Sequence, residues 1–202
     1  PIKVIITNYS ETETETLTVA NHPQDPSMGQ REKIFSKVIY IDSDDFREQA
    51  EKKFHRLTEG KEVRLRYGYI IRCDKVIKDS QTEVITELHC SYDSKTLGKK
   101  PEGRKVKGVI HWLSEKDSLP ATFNIYDRLI KEPIPSDIEL SKLINSDSLQ
   151  KKNGFVEKSA VATGDKKETF QFERTGYFIE DKNSTPDEII FNRTTTLKET
   201  WK

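Results

Sequence analysis

The chain has 202 residues, of which 33% are hydrophobic and 34% charged, and its 34 Lys and Arg balance 34 Asp and Glu. An average globular domain is about 45–50% apolar (Gly included) and about 25% charged, so this chain is polar. Nine Phe, seven Tyr and two Trp still supply the large side chains of a thin core, which excludes wholesale disorder, and zero formal charge excludes a uniformly basic coat for nucleic acid.

Short β-branched or aromatic runs bounded by turn residues predict strands over Lys3–Thr7, Leu17–Ala20 and Lys37–Ile41. From Asp44 to Leu57 the pattern changes: Phe46, Ala50, Phe54 and Leu57 recur at helical spacing. Ser43 suits the N-cap, Asp44 and Asp45 suit the positive end of a helix dipole, and Gly60 suits the exit, so a helix is expected over 44–57. Glu62–Cys73 then reads as the longest strand. Its alternation places Val63, Leu65, Tyr67, Tyr69, Ile71 and Cys73 on one face, and Arg64, Arg66 and Arg72 on the other. A turn over Lys78–Gln81 leads into a strand over Val84–Cys90. A hairpin centred near Gln81 makes Cys73 and Cys90 cross-strand neighbours, expected as reduced thiols. Later strands are expected over Val106–Trp112, Ala121–Tyr126, Glu168–Phe172, Gly176–Ile179 and Phe191–Trp201, with a shorter helix around Ile138–Ile144.

Many short strands and few helices predict a mainly all-β chain of antiparallel β-barrels with a few short helices. At this length two small barrels are expected, over residues 1–97 and 98–202, divided at the Gly- and Lys-rich stretch Gly98–Arg104. No apolar run approaches the ~18 residues that span a bilayer, so no membrane partner is expected. The first ten residues lack a signal-peptide pattern, and two Cys form no disulfide framework, which favours a reducing, cytoplasmic setting.

The charges are segregated. Lys52–Arg72 carries seven Lys and Arg against two Glu, and Lys95–Lys107 carries six against one. Any polyanion must be held by such local patches. Enzyme motifs are missing: there is no Gly-rich phosphate cradle, no G-x-S-x-G elbow and no H-E-x-x-H. Cys73, His89, Cys90 and His111 form the only Cys/His grouping, and His89 and Cys90 point to opposite faces of a strand, which spoils a shared zinc site. The residues therefore indicate a binding module. Arg64 and Arg66, two apart on a strand, project about 6.6–7 Å from one another, close to the phosphate spacing of an extended nucleic acid. Each guanidinium can clamp a phosphate or a guanine edge, or stack on a splayed base. The tyrosines fall on the opposite, core-side face, so phosphate and hydrogen-bond reading is expected in place of a stacking platform.

Several blocks resemble the C-terminal region of glutaminyl-tRNA synthetases: Asn21–Gly29, Arg31-x-x-x-Phe35-Ser, Ile39–Phe46, Gly60–Arg66, Gly103–Trp112, Tyr126–Leu129, Phe170–Phe178 and Phe191–Thr194. They occur in the family's order and cover nearly all of Pro1–Trp201. The resemblance implies two antiparallel β-barrels that share strands and bind the tRNA anticodon, and a nucleotide-binding catalytic domain upstream that uses ATP with Mg. A fragment without that domain cannot itself activate glutamine. It also implies that Arg64, Arg66, Lys53, His55 and Arg56 surround the anticodon bases, together with Gln171, Arg174, Gln24, Lys198 and Thr200. The resemblance implies no catalytic or metal residue in this region; the partners are glutamine tRNA and the catalytic domain, in a monomer. His55 stands where the family pattern has Lys, Lys53 where it has a Gln-like residue, and Lys198 where it has Arg, and Lys lacks the bidentate grip of Arg. The alternatives are the same region of an archaeal or eukaryotic-type glutamyl-tRNA synthetase, or a non-catalytic RNA-binding β-barrel protein.

Overall fold

The computed structural model describes residues 1–130, 143–161 and 168–197. The chain separates into two compact units, Pro1–Ser118 and Leu119–Lys202. The strands of the first are β1 (Ile2–Ile6), β2 (Glu15–Ala20), β3 (Gln30–Phe35), β4 (Val38–Ile41), β5 (Glu62–Leu65), β6 (Ile70–Lys78), β7 (Ile85–Asp93), β8 (Val109–Ile110) and β9 (Trp112–Ser114). Seven form one sheet in the order β8-β5-β6-β7-β1-β4-β9, while β2 and β3 pair as a separate hairpin. The outermost strands β8 and β9 are separated in the chain by His111 alone. The sheet therefore curls until its two edges meet through a single residue, and the result is a nearly closed barrel. Pairing is mainly antiparallel, but β1 runs parallel to β7 and β5 parallel to β8.

Alternation along these strands fills the interior. Val4 and Ile6 of β1, Val63 and Leu65 of β5, Cys73 of β6, and Leu88 and Cys90 of β7 have no exposure. Phe35 and Trp112, equally buried, pack edge to face at 5.5 Å between ring centroids, the arrangement aromatic quadrupoles favour. Cys73 and Cys90 are register partners on β6 and β7, as a hairpin near Gln81 requires. Both are free thiols. The hydrogen bond between their sulfurs, followed by burial, pushes the Cys90 thiol far above its ordinary pKa.

Two expectations fail here for physical reasons. Residues 98–118, assigned to the second barrel, belong to the first unit: Val109 pairs with Arg64, and Trp112 pairs with Ile41 and fills the first core. The Gly- and Lys-rich stretch is a loop within a unit. Nor does a helix form over 44–57. A 3-10 turn over Ser43–Asp45 is followed by a parallel bridge between Phe46 and Leu57, both buried. Leu57 N–H donates to the Asp45 carbonyl and Arg47 N–H to the Leu57 carbonyl. The fully buried Asp45 carboxylate meets Arg56 Nε at 3.3 Å. A helix would have turned Ala50 inward, yet Ala50 is exposed. The bridge anchors both ends of the segment in the barrel, and tertiary pairing overrides a short helical stripe. The helix around 138–144 lies largely outside the described residues.

The second unit contains β10 (Ser118–Tyr126), β11 (Leu149–Glu157), β12 (Thr169–Phe172), β13 (Gly176–Glu180) and β14 (Ile189–Thr195), in the order β11-β10-β14-β13-β12. β10 and β14 run parallel; β13 is antiparallel to both β12 and β14. Its core is a knot of phenylalanines. Phe172 stacks on Phe178 at 4.8 Å, and Phe191 lies 5.3 Å from Phe172. Gly176, at φ 140, begins β13; a Cβ there would sit 2.5 Å from the Thr195 carbonyl oxygen, so no side chain fits.

Candidate nucleic-acid interface

Residues from the two basic sequence clusters meet around one hollow of about 720 Å³ in the first unit. Lys52, Lys61 and Arg72 line it from the first cluster, and Lys105 and Lys107 from the second. Gly108 brings the second strip into place. A Cβ there would lie 2.0 Å from the His55 carbonyl oxygen, so only glycine lets residues 105–108 lie against the 54–56 segment. His55 and Arg56 line the same hollow; Lys53 is exposed and does not. Arg56 is already engaged. Its Nε pairs with buried Asp45, and its Nη1 donates to the Asp44 carbonyl at 2.7 Å.

Arg64 serves a second hollow, of about 590 Å³, lined also by Glu15, Tyr67, Leu97, Lys99 and Lys100. Its guanidinium donates to three backbone carbonyls, of Gly68 (3.1 Å), Thr96 (2.8 Å) and Lys99. Arg64 thus ties the loop after β7 to the β5–β6 turn. Arg104 is likewise engaged within the protein. Its Nε contacts both Glu62 oxygens, at 2.8 and 3.1 Å, and its Nη2 contacts Asp93 at 2.6 Å. These bonds raise the Arg104 pKa, and that from Arg104 holds the Asp93 carboxyl below its usual range. Lys52, Lys61, Lys105 and Lys107 make no ion pair among the described residues. The lysines, more than the arginines, carry the positive potential offered to an anion.

The single long strand expected over Glu62–Cys73 is a hairpin. β5 stops at Leu65, and the chain turns through Arg66, Tyr67 and Gly68 into β6. Gly68 N–H donates to the Leu65 carbonyl at 2.8 Å, and Leu65 N–H to that of Tyr69 at 2.9 Å. Val63, Leu65, Tyr69, Ile71 and Cys73 are buried as the alternation requires, but Tyr67 is 41% exposed. Arg66 therefore sits in a turn, not beside Arg64 on a strand face, and its guanidinium lies 5.3 Å from the Tyr67 ring centroid.

Gln24 is exposed on the loop joining β2 to β3. That loop is closely tied: His22 Nδ1 accepts from the N–H groups of Gln24 and Asp25, and Asp25 Oδ1 accepts from Ser27 N–H and Oγ–H. The Ser27 bonds lower the Asp25 pKa. In the second unit Gln171 is exposed on β12 directly across from Tyr177 of β13. Arg174 is exposed at the β12–β13 turn with φ 63. The structure thus gathers His55 and Arg56 at one hollow, puts Arg64 at another and Gln24 on a loop, and sets Gln171 and Arg174 in the other unit. Lys198 and Thr200 lie outside the described residues. The exposure of Tyr67 was not legible because the strand alternation hid the turn. Lys105 and Lys107 were legible as charge, with nothing in the sequence to connect them to His55.

The chain matches the family described as tRNA synthetases class I (E and Q), anti-codon binding domain, over residues 1–93, and a second family of the same description over residues 109–181. It is 53% identical over 205 residues to the glutamine–tRNA ligase of Aliivibrio salmonicida and 51% identical over 204 residues to that of Yersinia enterocolitica. All of this chain is covered, against 37% and 36% of those proteins, so it spans little more than a third of their length. With both units matched and relatives at about half identity along the whole chain, the chain belongs to the anticodon-binding domains of the class I tRNA synthetases for glutamate and glutamine.

Proposed function

We propose that this chain is the part of a glutamine–tRNA ligase that recognises the anticodon of glutamine tRNA, while a catalytic domain outside it attaches glutamine using ATP and Mg. Specificity for glutamine over glutamate is favoured by relatives named as glutamine–tRNA ligases. The intact protein acts in the cytoplasm as a monomer. The observation that carries the reading is the hollow where both basic clusters converge, within a neutral chain whose two units each match an anticodon-binding family. Lys52, Lys61, Lys105 and Lys107 draw the phosphates. His55 and Arg56 at the hollow, Lys53 just before them in sequence, Gln24 on the β2–β3 loop, Arg64 and Arg66 at the β5–β6 hairpin, and Gln171 and Arg174 on β12 and its turn are the base-side residues, joined by Lys198 and Thr200. Gln171 carries both a donor and an acceptor and no charge, which suits a base edge better than a phosphate.

The test is tRNA binding by the intact protein across salt, with the glutamine anticodon and with altered anticodons. Lys105→Gln with Lys107→Gln is expected to weaken all tRNAs alike and to reduce the salt slope by about one for each phosphate no longer neutralised. Gln171→Ala is expected to cost about 1–3 kcal/mol on the cognate anticodon and much less on altered ones. Equal affinity of the unaltered protein for every anticodon would sink the reading.

A further inference from the structure

Tyr67 has no packing role that accounts for its conformation. Its backbone lies at φ 59, in the left-handed region that bulky L-residues avoid, and its ring is 41% exposed. The surroundings hold it there. Arg66 N–H donates to the Ile110 carbonyl at 2.9 Å, Trp112 Nε1 to the Arg66 carbonyl at 3.0 Å, and Arg64 Nη1 to the Gly68 carbonyl at 3.1 Å. Trp112 is itself fully buried, so the turn is pinned from the core side. Strain held by so many bonds at an exposed aromatic residue points to use rather than packing.

The neighbourhood suits one ligand. The ring stands at the second hollow with Arg64, Lys99 and Lys100, and the Arg66 guanidinium lies against it. A flat aromatic face flanked by fixed cations, beside a space of about 590 Å³, accommodates a splayed nucleobase on the ring, with the adjoining phosphates near the lysines. We propose that Tyr67 is a stacking residue for one unpaired base of the bound RNA loop, held in its left-handed conformation so that the ring is presented before binding. This deepens the anticodon reading and rests on it. It reverses the sequence-based expectation that the tyrosines of this region are all core and that the site lacks a stacking contact.

The experiment uses the intact protein and an anticodon stem-loop RNA carrying 2-aminopurine at one loop position at a time. Binding is expected to quench one position strongly with the unaltered protein and with Tyr67→Phe. Tyr67→Asn and Tyr67→Gly remove the ring while tolerating the left-handed turn. Both are expected to retain the thermal stability of the parent, abolish the quench at that position and weaken binding roughly tenfold. If both variants keep the quench and the affinity, the stacking role is wrong while the anticodon reading stands. If the unaltered protein binds no stem-loop RNA, the anticodon reading fails and the stacking role with it.

Discussion

The two units differ in what their polar side chains are doing. In the first, the arginines are occupied: Arg56 neutralises buried Asp45, Arg104 bridges Glu62 and Asp93, and Arg64 holds three carbonyls. In the second, Gln171 stands exposed on a sheet face opposite Tyr177. An arginine in a basic cluster is therefore not automatically a phosphate ligand. A planar guanidinium with five donors is well suited to hold irregular backbone in place, and the first unit has long irregular segments that need holding. The compact charges of Lys52, Lys61, Lys105 and Lys107 are left exposed at the hollow.

The cores sharpen the contrast most. Phe178 is fully buried among the rings of a small second core, so Phe178→Ala is expected to cost about 3–5 kcal/mol. Hydrogen exchange should accelerate across β12–β14, with β1, β6 and β7 little changed. Uniform acceleration would show that the units do not unfold separately. Next comes Arg56→Ala, which takes the guanidinium away from the fully buried Asp45 carboxylate and is expected to cost about 3 kcal/mol by denaturant unfolding. A cost near zero would mean that the Phe46–Leu57 bridge holds the segment alone.

Arg64→Lys tests whether geometry or charge matters at that position. Lysine keeps the cation but cannot span three carbonyls, so a loss of about 1–2 kcal/mol in stability is expected, with the salt dependence of tRNA binding unchanged. Unchanged stability with an altered salt slope would return Arg64 to the phosphate contacts.

The smallest effect is a dependence on pH. The Arg104 hydrogen bond holds the Asp93 pKa below its unfolded value, so this contribution is present above the ordinary carboxylate range and is lost as pH falls through the depressed value. Both partners are about a third exposed, and solvent screening keeps the loss small. Arg104→Gln should shrink that acid-side step in the unfolding midpoint measured between about pH 5 and 2, the Lys95 N–H bond to Asp93 keeping the remainder.

Strand content and the buried face of β5 and β6 were legible because period-2 alternation reports burial directly, whereas the Cys73–Cys90 pairing depended on where the hairpin centred, which alternation does not report. The same alternation misled at Arg66–Gly68, where it runs on unbroken through a turn between two strands that only Gly68 hints at. The 44–57 segment carried a true helical stripe, yet Asp45 and Leu57 found partners across the bridge that no local pattern encodes. Of the site, the charge clusters and the family blocks were readable. Which cations are engaged internally was not, because Asp45–Arg56 and Arg104–Asp93 are pairs of the folded chain and leave no spacing rule behind.

The one-residue joint between β8 and β9 bears on how the protein can be cut. These two short strands cover both rims of the seven-stranded sheet, so removing residues 98–118 would bare β5 and β4 together. Each bared strand would offer unpaired backbone groups to another molecule. A truncation at the Gly- and Lys-rich loop, the place where charge and glycine suggest a natural end, would turn a self-contained barrel into a particle with two adhesive edges. Chains carried through Ser118 should stay monodisperse, and those ending near Leu97 should associate edge to edge.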